Sequence, residues 1–355
     1  MSRFLDVRYQ QLVPYTPGEQ PQNQVFIKLN TNDCPYPPSP KVKEALSAKE
    51  IDDLRLYSDP EAKKLCKAIA DHYGLNPNQV LPANGSDEVL AFAFLAFCGE
   101  KSVAFPAISY GFYPVFAELL SVQARAIPLQ KDFTINLKDY LIPGENVVIA
   151  NPNAPTGLAL SLQQIETILQ AHPDDVVLID EAYVDFGAES AVSLLERYEN
   201  LLVVQTFSKS RALAGQRVGF ALGSEQLISD LKSMKYSFNP YNLDRLAILA
   251  GTAAMEDNGY FDSCRSRIMK TREKTAAALK AAGFEMTDSL ANFIFVRYPG
   301  ISGAELQQSL REKGVLIRRF DTDSIRDYLR VTIGSEEEME TFVSAILKAV
   351  EECTE

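Results

Sequence analysis

LLVVQTFSKSRALAGQRVGF, residues 201–220, holds the two features that decide the fold: a short apolar strand, LLVVQ, and a Ser-rich turn at its end that carries Lys209. Arg217 follows eight residues later, flanked by Gly215 and Gly219. A lysine just past a buried strand is most often a solvated loop residue, since lysines are rarely buried unless paired. The alternative is an amine partly withdrawn from water, whose pKa falls and which then condenses with a carbonyl. The neighbours of Lys209 in the fold decide between the two.

On either side of this stretch, from about 80 to 224, short strands alternate with helices. The strand candidates are SVAFPAI, QARAIPL, NVVIANP, DVVLIDEAY, LLVVQTF and VGFALGS, with DEVLAFAFLAF, YPVFAELL and SLQQIETILQA as helices between them. Near-continuously apolar strands in such alternation predict an α/β fold, a parallel sheet covered on both faces. Ligands of these sheets sit beyond the carboxyl ends of the strands. Asn84, Tyr110, Asn151, Asp180 and Lys209 each fall at or just past a strand end, and so are expected at one rim.

Outside that block the pattern changes. Residues 1–40, rich in Pro, Asn and Gln, predict an extended arm lying over the body of the protein or reaching a partner subunit. Asp59 and Pro60 give a start signal for a helix ending at Gly74. Beyond residue 242 the reading is one long helix over 243–283, a strand in FEMTDSLANFIFVRY, a helix around GAELQQSLREKG, the short strands VLIRRF and YLRVTIG, and a last helix opened by Ser335 and Glu338 in capping-box spacing. The expected organisation is an arm (1–40), a large domain (41–242) and a small α+β domain (243–355).

Bulk properties narrow the function. The net charge of −12 over 355 residues argues against a nucleic-acid partner. No run approaches 18 apolar residues, and MSRFLDVRYQ lacks the apolar core of a signal peptide, so a cytoplasmic protein without a membrane span is expected. Five scattered cysteines form no CxxC pair, and with two histidines, His72 and His172, there is little to bind a metal.

The chemistry-bearing stretches are individually modest. NGSDE at 84–88 is a Gly turn entering a helix, which suits an anion, though a plain helix cap by Ser86 or Asp87 has the same appearance. VVLIDEAYVDF at 176–186 ends an apolar strand at Asp180, as a Walker B strand does, but no GxxxxGK[ST] precedes it. NPNAPTG at 151–157 is a proline-stiffened loop after a strand. Together they describe one device: a carboxylate for a protonated ring nitrogen, a lysine for an aldehyde, and an arginine with a helix start for a phosphate. Pyridoxal phosphate has all three features.

The chain resembles the fold-type I aminotransferases, and within them is similar to the histidinol-phosphate aminotransferase family over nearly its full length. The marks are KLNTNDCPYPPSP, LRLYSDPE, NGSDE, SYGFY, NPNAPTG, DEAYVDF, TFSKSRALAGQRVGF, GVLIRRF and YLRVTIGSEEE. The resemblance implies a large domain with a mostly parallel seven-stranded sheet between helices, a smaller α+β domain, and a homodimer with shared active sites. It implies that Lys209 binds pyridoxal phosphate covalently and shuttles the proton, that Asp180 pairs with the pyridine nitrogen, and that Tyr183 bonds the ring hydroxyl. Tyr110 would stack on the ring, with Gly85, Ser86, Asp87, Thr206, Ser208 and Arg217 around the phosphate and Tyr57 reaching the phosphate of the other subunit. Where the family has Asn before Pro-Thr-Gly this chain has Ala154, leaving Asn153 as the nearby amide. Tyr15, Asn32, Arg318 and Arg330 match substrate contacts, and strand alternation separates Arg318 from Arg319. The implied reaction is amino transfer between L-histidinol phosphate and 2-oxoglutarate. Threonine-phosphate decarboxylation, a broad aromatic aminotransferase and a ligand-sensing module are the alternatives.

Overall fold

The computed structural model describes all residues except 1, 22–24 and 355. Among the described residues the strands, in chain order, are β1 (Ile27–Leu29), β2 (Val80–Asn84), β3 (Ser102–Pro106), β4 (Ala124–Ile127), β5 (Glu145–Ala150), β6 (Val177–Asp180), β7 (Leu201–Thr206), β8 (Val218–Gly223), β9 (Glu285–Met286), β10 (Phe293–Arg297), β11 (Val315–Arg319) and β12 (Leu329–Thr332). Seven form one sheet in the order β2-β8-β7-β6-β5-β3-β4, and five form a second in the order β1-β11-β12-β10-β9.

Every residue of β5 to β8 is buried, as their unbroken apolar character requires of a sheet covered on both sides. Successive side chains go to opposite faces: Ile149, Ile179, Val203 and Leu222 join one apolar core, while Val148, Leu178, Val204 and Ala221 join the other. The run β4-β3-β5-β6-β7 is parallel. β8 runs against both β7 and β2, pairing Val218 with Asn84 and Gly219 with Thr206. The start of β8 therefore lies beside the ends of β2 and β7, and the segments around Ser86, Ser208 and Arg217 meet at one corner of the rim.

The second sheet packs through Ile294, Val331 and Ile333 on Phe342 and Ile346 of the helix Glu336–Thr354. Ser335 and Glu338 cap that helix reciprocally, at 2.7 and 3.2 Å. Three sequence expectations change. The arm is not wholly irregular, because Ile27–Leu29 pairs in parallel with Val315–Ile317. The long helix of 243–283 is two, Arg245–Met255 and Asn258–Ala281, and Asp257 caps the second by accepting from Tyr260 N–H at 3.4 Å. The helix expected right after Asp59 starts at Lys63, preceded by a left-handed Ala62 (φ 46°), while Asp59 still accepts from the N–H groups of Glu61 and Lys63.

The loop 151–157 is stitched to the second sheet's approach. Leu290 N–H donates to Gly157 O at 2.8 Å and Thr287 Oγ1 to Thr156 O at 2.5 Å. Gly157 (φ 74°) is required there, since a Cβ would overlap the Ser289 side chain and stand 2.9 Å from its Cα.

Candidate active site

A cavity of about 650 Å³ lies at the rim, between the ends of the large-sheet strands, the arm and the second sheet. Lys209, Asp180 and Tyr183 all line it, so the turn lysine is not a solvated one. Lys209 Nζ donates to the carbonyl of Thr31 at 3.1 Å. Burial pulls its pKa down to about 8; Asp33 opposes this, and Arg330 and Arg217 reinforce it. An amine in that range is about a tenth neutral at pH 7, on the order of a few hundred times more free base than an ordinary lysine offers.

Asp180 closes β6 and is 4% exposed. Its Oδ2 accepts from the Tyr113 hydroxyl at 2.8 Å and its Oδ1 from Ala182 N–H at 3.2 Å. Burial pushes the carboxyl up to about 6, against the pull of those two donors. Such a carboxylate lacks a cation and suits a cationic ring nitrogen. Tyr183 accepts from Asn32 Nδ2 at 2.9 Å, which leaves its own hydroxyl proton free to donate.

The anion corner is built by backbone. The helix Ser86–Phe97 starts after Gly85 (φ 82°) with no side-chain cap, so the expected alternative, a cap by Ser86 or Asp87, is absent and its first N–H groups remain for an anion. A Cβ on Gly85 would stand 2.5 Å from Arg217 Nη2, and one on Gly219 would overlap Ser86 N. Two glycines thus let β8 and Arg217 press against the helix start. Arg217, itself left-handed (φ 52°), donates to Ser208 Oγ at 3.2 Å and pairs with Asp87 at 3.4 Å. Thr206 Oγ1 and Ser208 Oγ lie 3.0 Å apart. Tyr110 donates to the other Asp87 oxygen at 2.6 Å, which fixes its ring at the cavity wall.

On the opposite wall Arg318 and Arg330 face each other across β11 and β12. Arg318 donates to the arm carbonyls of Thr16 and Pro17, and Arg330 to that of Asn30. Arg330 Nε is buried without a hydrogen-bond partner, a donor in want of an acceptor. Arg319 turns away to Asp321 and the Arg326 carbonyl. Tyr15 lines the cavity and stacks on Phe112 at 4.4 Å.

Three predicted residues do not line the cavity of this single chain: Gly85, which stands behind it against Arg217, Asn153 and Tyr57. Asn153 is buried with its amide committed to Ser109, Ile108 O and Thr156, whereas Ala154 takes the cavity position beside Tyr183, Ala291 and Phe293. Tyr57 is 81% exposed and stacked on Tyr241 at 4.6 Å. Sequence reasoning missed Tyr113 and the Thr31 carbonyl. The first had a signal, a second tyrosine three residues after Tyr110 at a helix start; a backbone acceptor has none.

The residues present fit pyridoxal phosphate: a buried neutralisable amine, a buried carboxylate lacking a cation, and a donor-lined corner shaped by Gly85 and Gly219. Comparison with known proteins gives the family. The sequence model of aminotransferase class I and II matches residues 24–346. The chain is 51% identical to a histidinol-phosphate aminotransferase of Brachyspira hyodysenteriae over 98% of both chains, and 47% identical to one of Clostridium acetobutylicum over 99% of this chain and all of that one. Its fold is similar to the crystal structure of histidinol-phosphate aminotransferase from Sinorhizobium meliloti in complex with pyridoxal-5'-phosphate, with TM-score 0.83 and 21% identity over 93% of this chain and 92% of that one. The chain belongs to the class I and II aminotransferases, in the histidinol-phosphate aminotransferase family.

Proposed function

We propose that the chain transfers an amino group between L-histidinol phosphate and 2-oxoglutarate, giving imidazole-acetol phosphate and L-glutamate, as a cytoplasmic pyridoxal-phosphate enzyme of histidine biosynthesis. The observation that carries the reading is the buried Lys209 amine in one cavity with Asp180 and the facing pair Arg318 and Arg330.

When bound, pyridoxal phosphate supplies an electron sink for the pair left at the substrate Cα. Lys209 would hold its aldehyde, Asp180 its ring nitrogen, Tyr183 its ring hydroxyl, Tyr110 a face of its ring, and Ser86, Ser208 and Arg217 its phosphate. Freed when the substrate amine takes its place on the aldehyde, Lys209 Nζ would take the Cα proton and return one, work suited to an amine titrating near 8. Tyr183 holds its proton toward the cavity because Asn32 occupies one of its lone pairs. Arg318 and Arg330 bind the substrate phosphate in one half-reaction and a carboxylate of glutamate in the other, with forks that suit both anions. Tyr15 and the arm carbonyls bonded to these arginines narrow the entrance to water.

A homodimer with shared sites is part of the reading. Tyr57, stacked on Tyr241, is exposed, as are Phe238 (74%), Leu54 and Leu56, large apolar side chains that a subunit interface would cover. The test is borohydride reduction of the pyridoxal-phosphate-loaded protein, mapping of the fixed label, and single turnover with histidinol phosphate. Label on Lys209 and conversion to the pyridoxamine form are expected. Label elsewhere, or carbon dioxide released from threonine phosphate in its place, overturns the assignment.

A further inference from the structure

Tyr113 plays no part in the scheme above, yet it is wholly buried and its hydroxyl touches a reacting group's partner. It sits in the first turn of the helix Phe112–Leu119, its ring edge-on to Tyr110 (5.7 Å, 83°) and tilted against Phe105 (5.8 Å). We propose that Tyr113 is a positioning residue of the active site, whose hydroxyl keeps the Asp180 carboxylate ionised and in one orientation. The proposal deepens the reading of Asp180 as the cofactor's partner and rests on it.

The geometry leaves little else for that oxygen to do. Asp180 Oδ2 is held by Tyr113 and Oδ1 by Ala182 N–H, one donor on each oxygen, so neither can rotate without leaving a buried donor unpaired. Each oxygen keeps a lone pair for a ligand. The other ionisable groups facing Asp180 are acidic: Asp87, from the helix Ser86–Phe97, and Tyr183, beyond the strand. Asp87 opposes ionisation of Asp180 instead of aiding it. Burial also raises the Tyr113 phenol far above its ordinary range, so it remains a donor throughout the working pH range. Tyrosine at this position therefore offsets a desolvation that no nearby cation relieves. It also ties Asp180 to the helix that follows Tyr110, so the carboxylate and the stacking ring share one support.

Tyr113→Phe removes one oxygen and preserves the ring packing. Tyr140→Phe removes a buried hydroxyl that has no partner and lies away from the cavity, and serves as the control. The first readout is the carboxyl titration of Asp180 in cofactor-free protein, by infrared difference against Asp180→Asn. A midpoint raised by about 1 to 2 pH units is expected in Tyr113→Phe and none in Tyr140→Phe, from the usual strength of a hydrogen bond to a charged group. The second is the pH dependence of cofactor absorbance and of kcat in the loaded enzyme, whose acid limb moves up by the same interval while KM for histidinol phosphate stays put. An unchanged midpoint in Tyr113→Phe, or an equal change in Tyr140→Phe, overturns the proposal. If the wild-type protein takes up no pyridoxal phosphate, the cofactor reading fails separately, and the infrared midpoint still decides whether Tyr113 controls Asp180.

Discussion

Replacing Asp180 by Asn is expected to remove a pH-dependent loss of stability from the cofactor-free protein while abolishing turnover. The carboxyl's ordinary pKa of 3.8 rises to about 6 in the fold because it is buried. Between those values the folded state binds more protons than the unfolded one, so stability falls as pH rises through this window and stays lower above it. At about 1.36 kcal/mol per pH unit the deficit above pH 6 is about 3 kcal/mol. Asparagine has no such titration. Its oxygen still accepts from Ala182 N–H and its amide donates to the Tyr113 oxygen, but the buried Tyr113 hydroxyl proton then loses its acceptor, at a cost of about 1–3 kcal/mol that does not vary with pH. The variant should therefore be less stable than the wild type near pH 4 and gain about 2–3 kcal/mol on it by pH 8. Urea denaturation of both cofactor-free proteins across that range measures the difference. A stability of the variant relative to the wild type that stays constant or falls as pH rises would refute the claim that this carboxylate is held desolvated for a cation.

Three further outcomes follow from the same geometry. Gly219→Ala drives a methyl into the backbone at Ser86; it should cost about 1–3 kcal/mol of stability and weaken pyridoxal-phosphate binding in equilibrium dialysis, whereas Gly223→Ala, which comes no nearer than 3.3 Å to the tip of the Leu202 side chain, should spare binding. Arg330→Gln should raise KM for histidinol phosphate about thirty-fold or more in steady-state kinetics, because it removes one of two facing guanidinium groups and the donor that lacks a partner. The rate of pyridoxal-phosphate loading should climb with pH as Lys209 loses its proton and level off above about 8, in stopped-flow absorbance. A rise that continues toward the ordinary lysine pKa would mean that the amine is solvated.

Much of this was legible in the sequence because strand ends are easy to place when strands are unbroken apolar runs. β5 to β8 fall where NVVIANP, DVVLIDEAY, LLVVQTF and VGFALGS put them, and that suffices to bring Asp180, Lys209 and Arg217 to one rim. What the sequence concealed depends on direction and on short-range geometry. Nothing in VGFALGS reveals that β8 runs against its neighbours, yet that reversal makes the phosphate corner. The split at Glu256 and Asp257 is a different case, since the run EDNG at 256–259 carries a turn signal that the single-helix reading passed over, and Asp257's capping of Tyr260 N–H marks where the second helix starts. Asn153 looked like the amide nearest the missing family Asn, but adjacent residues of a tight loop project in different directions, and Ala154 is the one that faces inward.

The stitching of the loop 151–157 to Thr287 and Leu290 has a mechanical corollary. Any rocking of the second sheet toward a ligand would drag the backbone of Ala154, which packs with Tyr183, so the surroundings of a bound pyridoxal phosphate would register tilt at a distance from the ligand itself. A colour change on anion binding to Arg318 and Arg330 would then act as a strain gauge. Lengthening the chain between Thr287 and Leu290 by a flexible insert would slacken that linkage and mute the signal.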